Sequence, residues 1–200
     1  MKTILAAMVM LVVVSVGVSA LTGCAEPGMV SGYDVSISSD FSAEEVSVIE
    51  TQMSAWSAFR DGPTFNYNIV SPYSLPSEEN VSWTSIVVRK DSAADIQAHG
   101  DSGTIAYTAV QGKLESVEYG DSNSREEIGA TIYLQDSSLV DSDMWAVSVA
   151  HETGHACGLR HTGINTLMNP DYPTASHSPT CADLNQFCSI RGVTCTCDAN

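Results

Sequence analysis

Positive charge is what this 200-residue chain has least of: eight Lys and Arg stand against 24 Asp and Glu, a formal net charge of −16. So few cations argue against nucleic acid and anionic lipid headgroups as partners, since both are drawn to basic surfaces. The carboxylates are scattered rather than gathered into one run, which reads as a solvated surface. No internal repeat and no second domain can be discerned, and the length fits one ordinary domain after processing. Cysteine is sparse too, at six. A chain of this size can build a sizeable core and does not need disulfides to hold it.

What is present begins with one apolar run. Residues 4–18 are almost wholly apolar behind the cation Lys2, and Leu21-Thr22-Gly23-Cys24 follows. The run has the length of a secretory core and small residues after it, so residues 1–23 are expected to be a removed signal peptide rather than a permanent span. Leu-Thr-Gly-Cys resembles the bacterial lipobox, in which cleavage falls before the cysteine and the cysteine receives lipid. Cys24 is therefore the expected lipidation site, and residues 24–32 a lipidated tether. Each buried CH₂ of an acyl chain contributes about 0.8 kcal/mol to anchoring. Ala25 follows Cys24, not the aspartate that commonly retains lipoproteins at the inner membrane of Gram-negative bacteria. The expectation is an exported bacterial lipoprotein at the outer membrane or cell surface, bound to membrane through Cys24.

Residues 33–39 alternate as a strand. Ser42 or Asp40 can cap a helix running to about Arg60, with Val46, Ile49, Met53 and Trp56 on one face and Gly62-Pro63 ending it. Residues 65–70, 81–89, 104–110 and 130–135 read as strands. Asp141 can cap a further helix to about Cys157. Ser178-Pro179 reads as the start of a last helix ending near Ile190. Five cysteines lie beyond Cys24: Cys157, Cys181, Cys188, Cys195 and Cys197. An odd number leaves at least one unpaired within the chain, and sequence alone does not choose the pairing. Cys181 and Cys188 would stand roughly 10 Å apart along the last helix, too far to bridge each other. Each could instead pair with a tail cysteine, leaving Cys157 reduced and buried.

Residues 151–161 carry the chemistry. They read His-Glu-Thr-Gly-His-Ala-Cys-Gly-Leu-Arg-His, or H-E-x-x-H-x-x-G-x-x-H. His151 and His155 are one turn apart on the same helix face and can grip one Zn²⁺. Glu152 sits next to the first of them, placed to take a proton from a metal-bound water. Gly158 can adopt a left-handed conformation and end the helix, so that His161 returns as a third ligand. Three protein nitrogens leave a fourth position open, the pattern of a catalytic zinc site.

This undecapeptide resembles the metzincin zinc endopeptidases. Met168 adds to the resemblance: metzincins carry a methionine turn beneath the metal, and Thr166-Leu167-Met168-Asn169-Pro170 follows His161 closely. The Leu-Met-x-Pro wording and the run from Met144 into His151 are most similar to the matrixin branch. The specific match covers about thirty residues, and the rest agrees in the order of elements. The resemblance implies an α+β fold, a metzincin-like zincin catalytic domain over residues 33–200. Its twisted mixed sheet would have about five strands, with about three main helices and an active-site cleft beside the edge strand. Residues 130–135, the strand before the site helix, would align the substrate. It further implies one catalytic Zn²⁺ on His151, His155 and His161, and hydrolysis of peptide bonds in a protein or peptide substrate with Glu152 as general base. Met168 would shape the floor of the site without being a ligand.

Departures from the matrixin pattern matter as much. Only about eight residues separate Cys24 from the first strand, which leaves no room for a zinc-blocking prodomain. His99-Gly100-Asp101 echoes the matrixin structural-metal loop, but its other ligands are missing, so His99 and His177 read as surface histidines. Ca²⁺ could bind so acidic a chain, yet no motif indicates it. Some relatives have a tyrosine two residues beyond the methionine. Pro170 stands there, and Tyr172 is assigned no role. A monomer is expected. The alternative is a non-catalytic zinc-binding surface lipoprotein, an adhesin or assembly factor. Glu152 counts against it, because holding zinc alone requires no glutamate at that place.

Overall fold

Tyr33, Val35 and Ile37 are buried while Asp34 faces out, the period of two of a half-covered strand. The computed structural model describes residues 32–82, 84–100, 103–111, 129–171, 176–192 and 194–197. The expected signal peptide, Cys24, Asp101 and Tyr172 lie outside these residues. The elements are β1 (Gly32–Ser38), α1 (Ala43–Ser54), β2 (Thr64–Val70), β3 (Ser85–Asp91), α2 (Ala93–Ala98), β4 (Ala106–Gln111), β5 (Gly129–Gln135), α3 (Ser142–Ala156) and α4 (Cys181–Ile190). Five strands form one mixed sheet in the order β2-β1-β3-β5-β4. β1, β2, β3 and β5 run parallel, and β4 pairs antiparallel with β5 at the edge, Thr108 opposite Ile132. The fold class read from the sequence is the one found: an α+β arrangement with a five-stranded mixed sheet and three main helices.

One element of that reading is overturned. Residues 130–135 are not an edge. β5 is hydrogen-bonded to β3 on one side and to β4 on the other, so its backbone has no free row for a substrate. On that side of the sheet the edge strand, among the described residues, is β4. Parallel pairing of β3 with β5 needs a long crossover, and β4 lies within that connection.

α1 begins with a capping box. The Ser42 side chain accepts from Glu45 N–H, and the Glu45 carboxylate accepts from Ser42 N–H. Val46, Ile49 and Met53 are buried. The α-helix stops at Ser54, short of the expected Arg60, and a tight 3-10 turn over Ala55–Ala58 drops Trp56 into the core. There its indole N–H donates to Ala150 O of α3, at 3.0 Å. β3 starts at Ser85 rather than 81, because Thr84 has φ of +69° and interrupts extended backbone. α2 was not anticipated. Its six residues are too short to show a helical period, though Ser92 caps it. α4 starts at Cys181 with Thr180 as its cap, so Pro179 lies outside the helix instead of in its first turn.

α3 is held by packing. Trp145, Val147, Val149, Ala150 and Ala156 are buried in the cluster shared by the sheet and α1. Each large apolar side chain there contributes about 1.5–3 kcal/mol, more than an exposed ion pair can. Trp145 N–H also donates to Gln135 O at 2.8 Å, tying the start of α3 to the end of β5. At the C-terminus Cys181 is bridged to Cys197 and Cys188 to Cys195, while Cys157 is free and buried. That is helix-to-tail pairing, and burial pushes the Cys157 thiol up to about 12, which leaves it inert. No helix among the described residues is long and apolar enough to cross a membrane.

Candidate metal centre

His151 and His155 project from one face of α3, and a sharp reversal brings His161 to them. The reversal is a Schellman ending. Gly158 N–H donates to His155 O at 2.8 Å, and Leu159 N–H donates to Gly154 O at 2.9 Å. Gly158 has φ of +89°, where an L side chain is strained. Leu159, next along, is buried and pins the turn.

One ring nitrogen from each of the three histidines lies within 4.8 Å of the others. His155 Nε2 and His161 Nε2 are 3.1 Å apart. Two nitrogens on one tetrahedral zinc, at about 2.0–2.1 Å from it, stand about 3.3 Å from each other. The backs of two rings are fixed as well. His151 Nδ1 is 2.7 Å from Leu167 O, and His155 Nδ1 is 2.8 Å from Leu159 O. A carbonyl only accepts, so each Nδ1 carries the hydrogen, and each Nε2 keeps its lone pair for a cation. Charge state agrees. Burial holds His151 down at about 4, and burial also lowers His155 and His161, the latter with help from His155. Neutral imidazole is the form that binds metal. The donor set fits a zinc ion.

Glu152 is buried beside this cluster, and burial raises its carboxyl to about 7. Thr108 of β4 opposes that shift with a hydrogen bond, its Oγ1 lying 2.6 Å from Glu152 Oε2. Met168 is fully buried against α3. A Cβ at Gly154 would stand 2.3 Å from its sulfur and 2.9 Å from the Trp56 ring, so the fourth residue of the motif has to be glycine for Met168 and Trp56 to pack here.

The methionine turn hangs from α4. Asp183 is fully buried, and its carboxylate accepts from Leu167 N–H at 3.0 Å and Met168 N–H at 3.1 Å. It also accepts from Thr180 N–H and Thr180 Oγ1. Leu167 O in turn takes the His151 hydrogen. Asp183 therefore fixes the loop that orients the first histidine. Asp183→Ala should leave two buried N–H groups unpaired and lower stability by about 3 kcal/mol or more. Zinc affinity should fall roughly 10–100-fold through His151. Denaturant unfolding and a competition titration with a zinc chelator measure both. Wild-type values in each would show that the turn is held by something else.

The histidines open into a cleft of about 600 Å³ whose walls are β4, the ligand turn and the start of α3. Ala106 and Thr108 of β4 face it across from Val147, Ser148 and Glu152. His99 reaches its rim, where it stacks on Tyr107 at 4.1 Å, and Tyr107 on Tyr133 at 4.6 Å. Among the described residues, the three site histidines are the sole cluster of His, Cys, Asp and Glu able to hold a metal, so His99 and His177 belong to none. Thr108, Gly154 and Asp183 were not singled out from sequence. Only Asp183 had a visible signal, the Thr180-x-x-Asp183 capping pattern before an apolar run.

The sequence matches no family model and no curated protein. Among solved structures it is similar to high choriolytic enzyme 1, a hatching enzyme zinc-protease from Oryzias latipes (medaka fish). The identity is 19% and the TM-score 0.31, over 65% of this chain. The chain spans 44% of that structure's length, and at that score the overlap says nothing about the site.

Proposed function

We propose that this chain is a zinc-dependent endopeptidase of metzincin type, nearest to the matrixin branch. One observation carries the reading: three imidazoles converge beside a buried carboxylate, in a cleft walled by β4, which among the described residues ends the sheet on that side. The motif His151–His161 and the buried Met168 support the same reading. His151, His155 and His161 would hold the ion, which when bound supplies a Lewis acid for the scissile carbonyl and for a water. The chain's own groups do the rest. β4, whose outer backbone row pairs with no strand among the described residues, offers it to an extended peptide, which binds by main-chain hydrogen bonds with little sequence selectivity. Glu152 takes the proton of the attacking water and delivers it to the leaving amine. Its raised pKa suits both halves of that task near neutral pH.

The test is zinc content together with cleavage of an unstructured protein by the wild type and by Glu152→Gln. Zinc without cleavage would favour the non-catalytic surface lipoprotein instead.

Anchoring is the second part of the proposal. The lipobox-like residues 21–24 support an exported bacterial lipoprotein at the outer membrane or cell surface. Mature protein should begin at Cys24 and partition with membranes, and Cys24→Ser should block lipidation and disturb processing. Mass spectrometry of the mature N-terminus decides this. Unlipidated soluble protein starting elsewhere would refute the anchor.

A further inference from the structure

Thr108 lies in the middle of β4, and its hydroxyl oxygen meets two acceptors on α3. One is Glu152 Oε2 at 2.6 Å, and the other is the Glu152 main-chain oxygen at 3.1 Å. Among the described residues no other group hydrogen-bonds the Glu152 carboxylate. Glu152 is otherwise held only by burial, which restricts a three-rotor side chain without aiming it. Thr108 sits on the strand proposed to receive substrate, while Glu152 sits on the helix proposed to hold the metal. The hydroxyl is thus a tie between the two walls of the cleft.

We propose that Thr108 is a positioning residue for Glu152, holding its carboxyl group in one place in both the charged and the neutral form. This rests on the peptidase reading given above. A hydroxyl suits the task because its O–H can donate to a carboxyl oxygen whether the group is charged or neutral. When Glu152 is a carboxylate, the Thr108 O–H points at Oε2. When Glu152 has taken the water proton on Oε1, Oε2 is the carbonyl oxygen of the acid and still accepts from the Thr108 O–H. Thr108 gives up no proton. The proton that Glu152 receives from water is the one it passes to the leaving amine. Oε2 keeps its partner in both forms, so the base need not move between the two steps.

Thr108→Val keeps the branched shape of the side chain and its strand preference and removes only the hydroxyl. With the zinc-loaded protein and an unstructured substrate, kcat should fall between about tenfold and a hundredfold, the range that follows from misplacing one catalytic group. KM and zinc stoichiometry should stay within about twofold of wild type, and Thr108→Ser should restore most of the rate. In a Glu152→Gln background no base remains to be aimed, so Thr108→Val should change the residual rate by less than about twofold. A loss confined to KM, or the same loss in both backgrounds, would mean that Thr108 serves the strand rather than the base, and would overturn the proposal. A separate measurement does not depend on turnover. In the metal-free protein the Glu152 side-chain carboxyl ¹³C resonance should shift in Thr108→Val and stay in place in Thr108→Ser. An unmoved resonance overturns the inference. A wild type that binds zinc but cleaves nothing overturns the peptidase reading, while the resonance still decides whether Thr108 holds Glu152.

Discussion

His161→Ala should yield a folded protein that has lost its zinc and its turnover together. His161 lies beyond the Schellman turn, and its side chain is exposed, outside the buried cluster that stabilises α3. Removing it opens no core cavity, so the far-ultraviolet circular dichroism should not change. The metal site is another matter. Two imidazoles remain, both on α3, and the nitrogen 3.1 Å from His155 Nε2 is gone. Losing an orienting partner of a ligand typically lowers affinity 10–100-fold, and losing a ligand outright should exceed about 100-fold. His151→Ala makes a useful contrast. His151 is partly buried and bonded to Leu167 O, so that variant should lose zinc and also loosen the methionine turn. Elemental analysis after dialysis gives zinc per chain. Full occupancy and full turnover in His161→Ala would place the third ligand elsewhere and remove the main support for the metzincin reading.

The contrast between these two histidines shows what could be read from sequence and what could not. Helical period and the helix stop are local. The four-residue spacing of His151 and His155 and the glycine at 158 are visible in the letters, and they are the residues that stand together in the structure. The groups that orient them come from afar. Asp183 reaches the turn that holds His151 across 16 residues, and Thr108 reaches Glu152 across 44. Neither contact has a period that a window of sequence could display. The edge strand was misplaced for the same reason. Residues 130–135 and 104–110 both read as strands, and nothing in either says which one is outermost. The edge follows from β4 pairing antiparallel inside a parallel crossover, a property of the whole sheet. The length of α1 was misjudged because Trp56 continues the helical stripe, yet its indole bonds to α3 and draws the chain out of the helix. Tertiary contact overrode local preference there.

Glu152→Gln carries the other large effect, and it separates chemistry from structure. The amide has the shape of the acid and can still accept the Thr108 hydrogen, but it cannot take a proton from water. Zinc occupancy should be unchanged, since Glu152 is not among the clustered ligand nitrogens. Turnover should fall by roughly 10² or more, the usual contribution of a positioned general base. Stability should move the opposite way, with a definite pH dependence. Burial raises the folded-state pKa of Glu152 from 4.5 to about 7. A raised carboxyl pKa means the folded state binds the proton that the unfolded state has released, so stability is lost as pH rises from 4.5 through about 7. Gln has no such loss. Metal-free Glu152→Gln should therefore melt above the metal-free wild type at pH 8, and the gap should close towards pH 4.5. His151 does not obscure this comparison, because its depressed pKa lowers stability towards acid in both proteins alike. Thermal melts at the two pH values, alongside initial cleavage rates, measure it. Unchanged rates would sink the role of Glu152 as base. An equal melting gap at both pH values would show that its carboxyl is not held out of water in the way its burial requires.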